Sequence, residues 1–253
     1  MKQVFKKPRS LYDAAFHYCP GCHHGIYHRL VAECIDKYRL RSKIIGVSSI
    51  GCSVLLYDYF DVDILEAPHG RATAVATGIK RALPENVVFT YQGDGDLASI
   101  GMGETIHAAN RGEKITVIFV NNTVFGMTGG QMAPTTMTGQ QTTTTPEGRL
   151  PDTNGYPIKM AELLSSLPGT SFVARASAHS PKHLLKAKKM IELAFEAQFM
   201  HHGFGFVELL SACPTNWKMT PQEANKRIKN ELVPYFPLGI FKEKGQSCTL
   251  TAR

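Results

Sequence analysis

The chain lacks any apolar run long enough for a membrane. No window of its 253 residues approaches the roughly 20 consecutive apolar residues that a spanning helix needs. Behind the basic start MKQVFKKPRS there is no apolar segment of the kind that follows the charged head of a secretory signal. A soluble, cytoplasmic protein with no membrane partner is therefore expected. A disulfide framework is missing too. Six cysteines without a secretory signal belong to a compartment that keeps thiols reduced, so they are metal ligands, reactive thiols or core fillers. The sequence has no internal repeat, no second CxxC pair and no C-x₂-C-x₂-C-x₃-C run of a two-cluster ferredoxin. Its formal charge of +7 favours anionic partners. The lysines are scattered, without aromatic interleaving or the fingerprint of a nucleic-acid module, which argues against nucleic acid.

Hydrophobic residues make up 43% of the chain, enough to bury a full core, and the length suits an α/β protein that runs as one domain. One domain over residues 1–253 is expected, with an N-terminal CxxC segment and a C-terminal extension from about residue 218. KIIGVSS (43–49), NVVFTYQ (86–92) and KITVIFVNN (114–122) are near-continuous apolar runs, the pattern of strands buried on both faces. Between them, RATAVATGIKRAL (71–83) and LASIGMGETIHAANRG (97–112) read as helices, the second closed by glycine. Strand alternating with helix predicts a doubly wound, mostly parallel sheet. Residues 181–203 read as a further helix ending in glycine, and FGFVELLSACPTNW (204–217) as a strand running into a turn. Residues 133–157, rich in Thr, Pro and Gly, form a long loop: a lid or binding segment, or a plain surface excursion.

The strongest local signal is QGDGDLASIGMGETIHAANRGEKITVIFVNN. Gly93-Asp94-Gly95 stands where one buried strand gives way to a helix, and the next strand ends in Asn121-Asn122. In a doubly wound sheet, consecutive strand ends at a switch point border the ligand crevice, so both motifs face one site. Glycines let backbone N–H groups approach phosphate oxygens, and a helix N-terminus favours negative charge. The Asp94 carboxylate, the Asn122 amide oxygen and the Val124 carbonyl are hard ligands suited to Mg²⁺ or Ca²⁺ shared with a diphosphate. GDG alone is a common turn; GDG followed by a buried strand ending in NN is the pattern of thiamine diphosphate enzymes, and the chain resembles their diphosphate-binding domain.

YCPGCHHG (18–25) admits three readings. A zinc clip wants a second CxxC, which is absent. A thioredoxin-like redox pair wants a preceding strand in a small βαβ unit, which is absent as well. An iron–sulfur site needs only four thiolates converging in space. Cys52, in SSIGCS, and Cys213, in SACPTNW, each follow a predicted strand on the rim that carries the diphosphate motif, and this reading is favoured. Cys34 reads as a core thiol on an apolar helix face, and Cys248 as a terminal one. His23 and His24 read as structural histidines at a helix start, or as donors to the cofactors.

In order, YCPGCHHG, SIGCS, HGRATAVATGIK, YQGDGDLASIGMGET, FVNNTVFGMTGGQMAPTT and CPTNW resemble the β subunit of the 2-oxoacid:ferredoxin oxidoreductases, from Cys19 to Trp217. Within that family the branched-chain (2-oxoisovalerate) branch is most similar, then the 2-oxoglutarate branch. The resemblance implies an α/β thiamine diphosphate-binding fold, with one 4Fe-4S cluster on Cys19, Cys22, Cys52 and Cys213. Mg²⁺ would sit on Asp94, Asn122 and the Val124 carbonyl. Thiamine diphosphate would lie among Gly51, Cys52, Ser53, His69, Gly93, Asp94, Gly95, Asp96, Asn122, Val124, Gly126, Met127 and Thr128, with His69 in an active-site role. Leu55 stands where some members carry a lysine three positions after the third cluster cysteine, which favours apolar substrates. The implied reaction is coenzyme A-dependent oxidative decarboxylation of a 2-oxoacid with electrons passing to ferredoxin. The implied partners are an α subunit that completes the thiamine site, a γ subunit, and ferredoxin or a ferredoxin-like subunit. A non-oxidative thiamine diphosphate decarboxylase subunit and a zinc-stabilised binding module are the alternatives.

Overall fold

The structure, a computed structural model, describes residues 6–200 and 203–244. The three apolar runs become strands β1 (Ile44–Ser49), β3 (Val87–Gly93) and β4 (Thr116–Asn121), almost wholly buried as their lack of alternation predicts. They belong to a seven-stranded sheet with β2 (Asp63–Ala67), β7 (Thr170–Ser177), β8 (Phe204–Leu210) and β9 (Gly239–Glu243). Its order is β2-β1-β3-β4-β8-β7-β9, parallel throughout except for β9, which runs antiparallel along β7. A separate two-stranded ribbon, β5 (Val124–Phe125) and β6 (Gln131–Met132), rises from the end of β4.

Alternate residues along each strand feed two cores. Ile118 and Val120 join a cluster with Tyr27, Val31 and Ile35 of α1 (His24–Lys37) and Ile191 and Phe195 of α6 (Pro181–Phe199). Val117 and Phe119 face the opposite layer, built by α2 (Ala72–Ala82), α3 (Met102–Arg111) and α5 (Met160–Ser165); the short α4 (Pro151–Asn154) buries no residue. Residues beyond the short α7 (Pro214–Trp217) pack Ala224 of α8 (Pro221–Arg227), Ile228, Leu232 and Phe236 against Val124, Leu210 and Trp217 before adding β9 to the sheet edge. Cys34 is fully buried in the α1 core, as its apolar face predicts. Among the described residues, no helix is long and apolar enough to cross a membrane.

Two boundaries differ from the sequence reading. The helix expected over 97–112 is a π-turn, Asp96–Ile100, followed by α3. Gly101 N–H reaches back to the Asp96 carbonyl at 2.9 Å, widening the turn just where the chain leaves the site, a common place for such bulges. Gly112, in the left-handed region at φ 66°, ends α3 as read. The later helix stops at Phe199 rather than at Gly203; residues 201–202 and Cys248 lie outside the described residues.

The loop over 133–157 is a folded support, not a bare excursion. Arg149 is 4% exposed, and its guanidinium donates to the carbonyls of Ala133, Pro134, Thr136, Asn154, Gly155 and Tyr156 at 2.7–3.4 Å. Among the described residues no carboxylate pairs with it; burial pulls its guanidinium below its ordinary range. Arg149→Ala leaves those carbonyls unpaired and is expected to cost about 3 kcal/mol or more. Arg149→Lys recovers little, because an ammonium cannot reproduce the planar fork. Limited proteolysis checks this: cleavage within 133–157 accelerates in both variants if Arg149 holds the loop, and stays at the wild-type rate if it does not.

Candidate active site

Because the sheet is parallel, its C-terminal strand ends share one rim. β1 ends ahead of Ile50–Ser53, β2 ahead of His69, β3 ahead of Asp94–Asp96, β4 ahead of Asn122 and β8 ahead of Cys213. The chain steps outward from β1 to β2 and then returns to the other side of β1 as β3, which makes the β1/β3 border a topological switch point. There lies a pocket of about 580 Å³. All the residues that the resemblance assigns to the thiamine cofactor line it: Gly51, Cys52, Ser53, His69, Gly93, Asp94, Gly95, Asp96, Asn122, Val124, Gly126, Met127 and Thr128. His24, Ile50, Phe125 and Gln131 line it too and were not singled out as cofactor contacts. Leu55 does not; it packs against the α1 core, so the sequence argument from Leu55 to an apolar substrate has no support here.

Asp94 is 2% exposed. Burial pushes its carboxyl up to about 7, against hydrogen bonds from Thr135, Gly95 and Thr123 that favour the ionised form. Thr135 Oγ1 donates to Oδ2 at 2.6 Å and Gly95 N to Oδ1 at 2.9 Å. A buried carboxylate braced in this way, with an amide oxygen and a backbone carbonyl nearby, suits a hard divalent cation, which would offset the cost of desolvating it. Asn122 Oδ1 accepts from Val124 N at 3.2 Å. Between them Thr123 has φ 64°, an outlier for a β-branched residue that costs about 1–3 kcal/mol. Its neighbours hold it there: Thr136 and Gln140 donate to its carbonyl, and Asn121 Oδ1 accepts its N–H. Asn121 faces away from the pocket, its Nδ2 donating to Glu208 at 2.8 Å. The two asparagines of the motif thus divide the work, one shaping the turn and one lining the site.

Asp96, also buried, gathers the rim. It accepts from Ser49 Oγ at 2.7 Å, Gly70 N at 2.6 Å and Gln92 Nε2 at 2.6 Å. His69 Nδ1 stands 2.9 Å from Oδ1, an ion-pair distance without hydrogen-bond alignment, since that nitrogen has no hydrogen-bond partner. His69 lines the pocket beside this contact.

The cysteines lie beside the same pocket. A methyl group built on Gly126 would stand 3.1 Å from the Cys52 sulfur and 3.8 Å from the Cys213 sulfur, so these thiols flank one glycine. Asn216 Nδ2 donates both to Cys213 Sγ at 3.2 Å and to the Gly126 carbonyl at 2.8 Å, tying a cysteine to the loop that carries Gly126. Cys22 N donates to Cys19 O at 3.0 Å, closing the CPGC turn ahead of α1. Burial pushes the Cys22 and Cys52 thiols up to about 12 and raises that of Cys213 as well, and each of these three is raised further by other cysteines of the set. Among the described residues no three His, Cys, Asp or Glu side chains stand at the spacing that would hold a single metal ion. A cubane cluster spreads its thiolates more widely than one ion does, and Cys52 and Cys213, converging on Gly126, are two of the four it would need. His23 takes the structural reading, bonded through Nε2 to Asn225 at 3.0 Å, whereas His24 bonds Tyr91 through Nδ1 and lines the pocket.

A crevice at the switch point of a parallel sheet, with a buried Gly-Asp-Gly turn facing a strained Asn turn, defines the diphosphate-binding domain of thiamine enzymes. Residues 49–209 match the family model described as thiamine pyrophosphate enzyme, C-terminal TPP binding domain. The chain is 48% identical over 253 residues to the ketoisovalerate oxidoreductase subunit VorA of Methanothermobacter thermautotrophicus, covering 96% of this chain and 53% of that one. It is 40% identical over 238 residues to the 2-oxoglutarate synthase subunit KorB of Archaeoglobus fulgidus, covering 90% and 84%. Its fold matches the 2-oxoglutarate:ferredoxin oxidoreductase of Magnetococcus marinus, solved with 2-oxoglutarate, coenzyme A and succinyl-CoA bound, at a TM-score of 0.77 and 25% identity, over 97% of this chain and 87% of that one. The chain belongs to the thiamine diphosphate-binding β-type subunits of the 2-oxoacid:ferredoxin oxidoreductases. It spans about half the length of the VorA relatives, 53% of each.

Proposed function

We propose that the chain is the catalytic β subunit of a coenzyme A-dependent 2-oxoacid:ferredoxin oxidoreductase, with 2-oxoisovalerate the favoured substrate and 2-oxoglutarate next. The observation that carries this reading is the single pocket in which the Asp94 and Asn122 turns meet the Cys52–Gly126–Cys213 contact. The higher identity to VorA, 48% against 40% for KorB, supports the branched-chain preference. Bound here, thiamine diphosphate supplies the nucleophilic carbon that adds to a 2-oxo carbonyl, and a 4Fe-4S cluster supplies a one-electron acceptor.

This chain's residues do the rest. Asp94, Asn122 and the Val124 carbonyl would hold Mg²⁺ against the diphosphate, while Gly93, Gly95 and Gly126 leave room for its oxygens. Met127 and Thr128 border the same side of the pocket, and Gly51 and Ser53 the other. Cys19, Cys22, Cys52 and Cys213 would hold the cluster. His69, positioned by Asp96, is placed to move a proton at the substrate carbonyl. Asp94 and Asp96, the carboxylates that line the pocket among the described residues, are both engaged. Thiamine chemistry also needs a carboxylate that activates the aminopyrimidine, and the family resemblance assigns it to an α subunit, with a γ subunit and ferredoxin or a ferredoxin-like subunit completing the electron path.

Anaerobic purification of the complex tests this. Iron and acid-labile sulfide in equal amounts, together with thiamine diphosphate, are expected, and Cys213→Ser should lower iron and sulfide by the content of one 4Fe-4S cluster per copy of this chain but keep the cofactor. Thiamine diphosphate in a colourless wild-type protein marks a non-oxidative decarboxylase, and zinc with neither cofactor marks a binding module. Assay of the complex with 2-oxoisovalerate, 2-oxoglutarate, pyruvate and indolepyruvate ranks the substrates.

A further inference from the structure

Behind the pocket, three tyrosines are each hydrogen-bonded to a histidine. Tyr91 pairs with His24 Nδ1 at 3.0 Å, Tyr18 with His28 Nε2 at 2.8 Å, and Tyr59 with His17 Nδ1 at 2.5 Å. The pairs interlock. Tyr18 stacks on His24 at 4.8 Å and 17°, His28 meets Tyr91 edge-on at 4.7 Å, and Tyr59 lies 5.9 Å from Tyr18 and 5.8 Å from both His28 and His17. One end of this ladder, His24, lines the cofactor pocket. The other end, His17 beside Phe16, is exposed. Tyr91, His24 and His28 are at most 2% exposed.

Packing alone asks for apolar rings, yet this stack buries two imidazoles, His24 and His28, with Tyr91 and Tyr59, and continues through the partly buried Tyr18 to the exposed His17. His28 Nδ1 is left there with no hydrogen-bond partner, a cost that a phenylalanine or leucine at that position would not incur. What a hydrogen-bonded tyrosine–histidine pair does that phenylalanine cannot is release an electron without expelling a proton into a dry interior, because the phenol proton crosses to the imidazole as the electron leaves.

Resting on the function proposed above, we propose that the Tyr91–His24, Tyr18–His28 and Tyr59–His17 pairs form a protective relay that drains one-electron oxidising equivalents from the cofactor pocket to the surface. When the reduced site gives one electron to dioxygen, the superoxide formed in the pocket takes one electron from Tyr91 and two protons from water and leaves as hydrogen peroxide, while the Tyr91 O–H proton moves to His24, giving a neutral phenoxyl beside an imidazolium. An electron from Tyr18 then refills Tyr91, His24 returns the proton, and the Tyr18 proton moves to His28. The same exchange passes the deficit to Tyr59 and His17. At the surface a soluble thiolate supplies the electron, two thiolates becoming one disulfide for every two equivalents drained, and His17 returns the last proton to Tyr59. Normal turnover does not engage the relay, because low-potential iron–sulfur clusters are far too weakly oxidising to take an electron from a phenol.

The test uses the whole complex, loaded with its cofactors and reduced by 2-oxoacid and coenzyme A. It is given a pulse of dioxygen, frozen and examined by electron paramagnetic resonance, with acid-labile sulfide followed in parallel. A phenoxyl signal that narrows when tyrosine is ring-deuterated is expected. Tyr59→Phe keeps the ring packing and removes only the hydroxyl, so its anaerobic turnover should match wild type while sulfide is lost severalfold faster after the pulse. His17→Gln, which leaves the phenol but removes its proton acceptor, should do the same. An intact cluster with no phenoxyl signal, or wild-type sulfide loss in both variants, overturns the relay and leaves the proposed function standing. Protein that purifies without iron and sulfide overturns the proposed function itself.

Discussion

Asp94→Asn should make the cofactor-free chain more stable at pH 8 and at the same time unable to retain thiamine diphosphate. Burial raises the Asp94 carboxyl from 3.8 to about 7 in the folded chain. Between those values the folded state binds the proton that the unfolded state has released, so wild-type stability falls as the pH rises through this window. Above it the ionised, buried carboxylate costs up to about 4 kcal/mol. Asparagine carries no charge to bury and can still accept from Gly95 N at Oδ1. The urea midpoint of the variant should therefore be flat between pH 4 and pH 7, where that of the wild type declines.

Adding Mg²⁺ and thiamine diphosphate narrows the gap. Wild type gains about 2.7 kcal/mol at a cofactor concentration 100 times its dissociation constant, while the variant, which lacks the carboxylate proposed to hold the metal, is expected to bind about 100-fold more weakly and to gain little. Equal cofactor affinity in the two proteins would remove Asp94 from the metal site. An unchanged pH slope would mean that water reaches the carboxylate.

Much of this site is legible in the sequence, for a local reason. β1, β3 and β4 are continuous apolar runs, and Gly93–Gly95 and Asn122 lie within two residues of their ends, so chain order alone assigns them to one rim. What was illegible depends on partners distant in the chain. Thr135 lies 41 residues beyond the Asp94 it braces, and Arg149 holds carbonyls up to 16 residues before it, so neither partnership shows in local spacing. β7 was missed because TSFVARAS mixes small, polar and charged residues; all eight are nevertheless buried, since an ion pair and two aromatic rings cover the arginine. β2 escaped notice as an exposed edge strand. The strained φ of Thr123 has no sequence signature at all, because nothing in NNTVF calls for a left-handed threonine.

That arginine carries the second large effect. Arg175 is fully buried, sandwiched between Phe236 and Phe241, with Nε 2.9 Å from Glu208 Oε2, a contact lacking hydrogen-bond alignment, and a forked pair of bonds to Glu162. Burial opposes its charge, but Glu208 and Glu162 outweigh that and hold the guanidinium above its ordinary range. Arg175→Met keeps much of the volume and leaves Glu208, 0% exposed, as an uncompensated charge, so a loss of about 3–5 kcal/mol is expected. Arg175→Met with Glu208→Gln removes the stranded charge and should recover most of it, since the glutamine oxygen still accepts from Asn121 Nδ2. Because Asn121 holds the Thr123 N–H, a disturbed Glu208 loosens the turn that presents Asn122. Thiamine diphosphate affinity should therefore fall in the single variant and return in the double. A double variant as unstable as the single one would show that the arginine acts through its packing between the two phenylalanines, and recovered stability without recovered affinity would sever the link from Glu208 through Asn121 to the pocket.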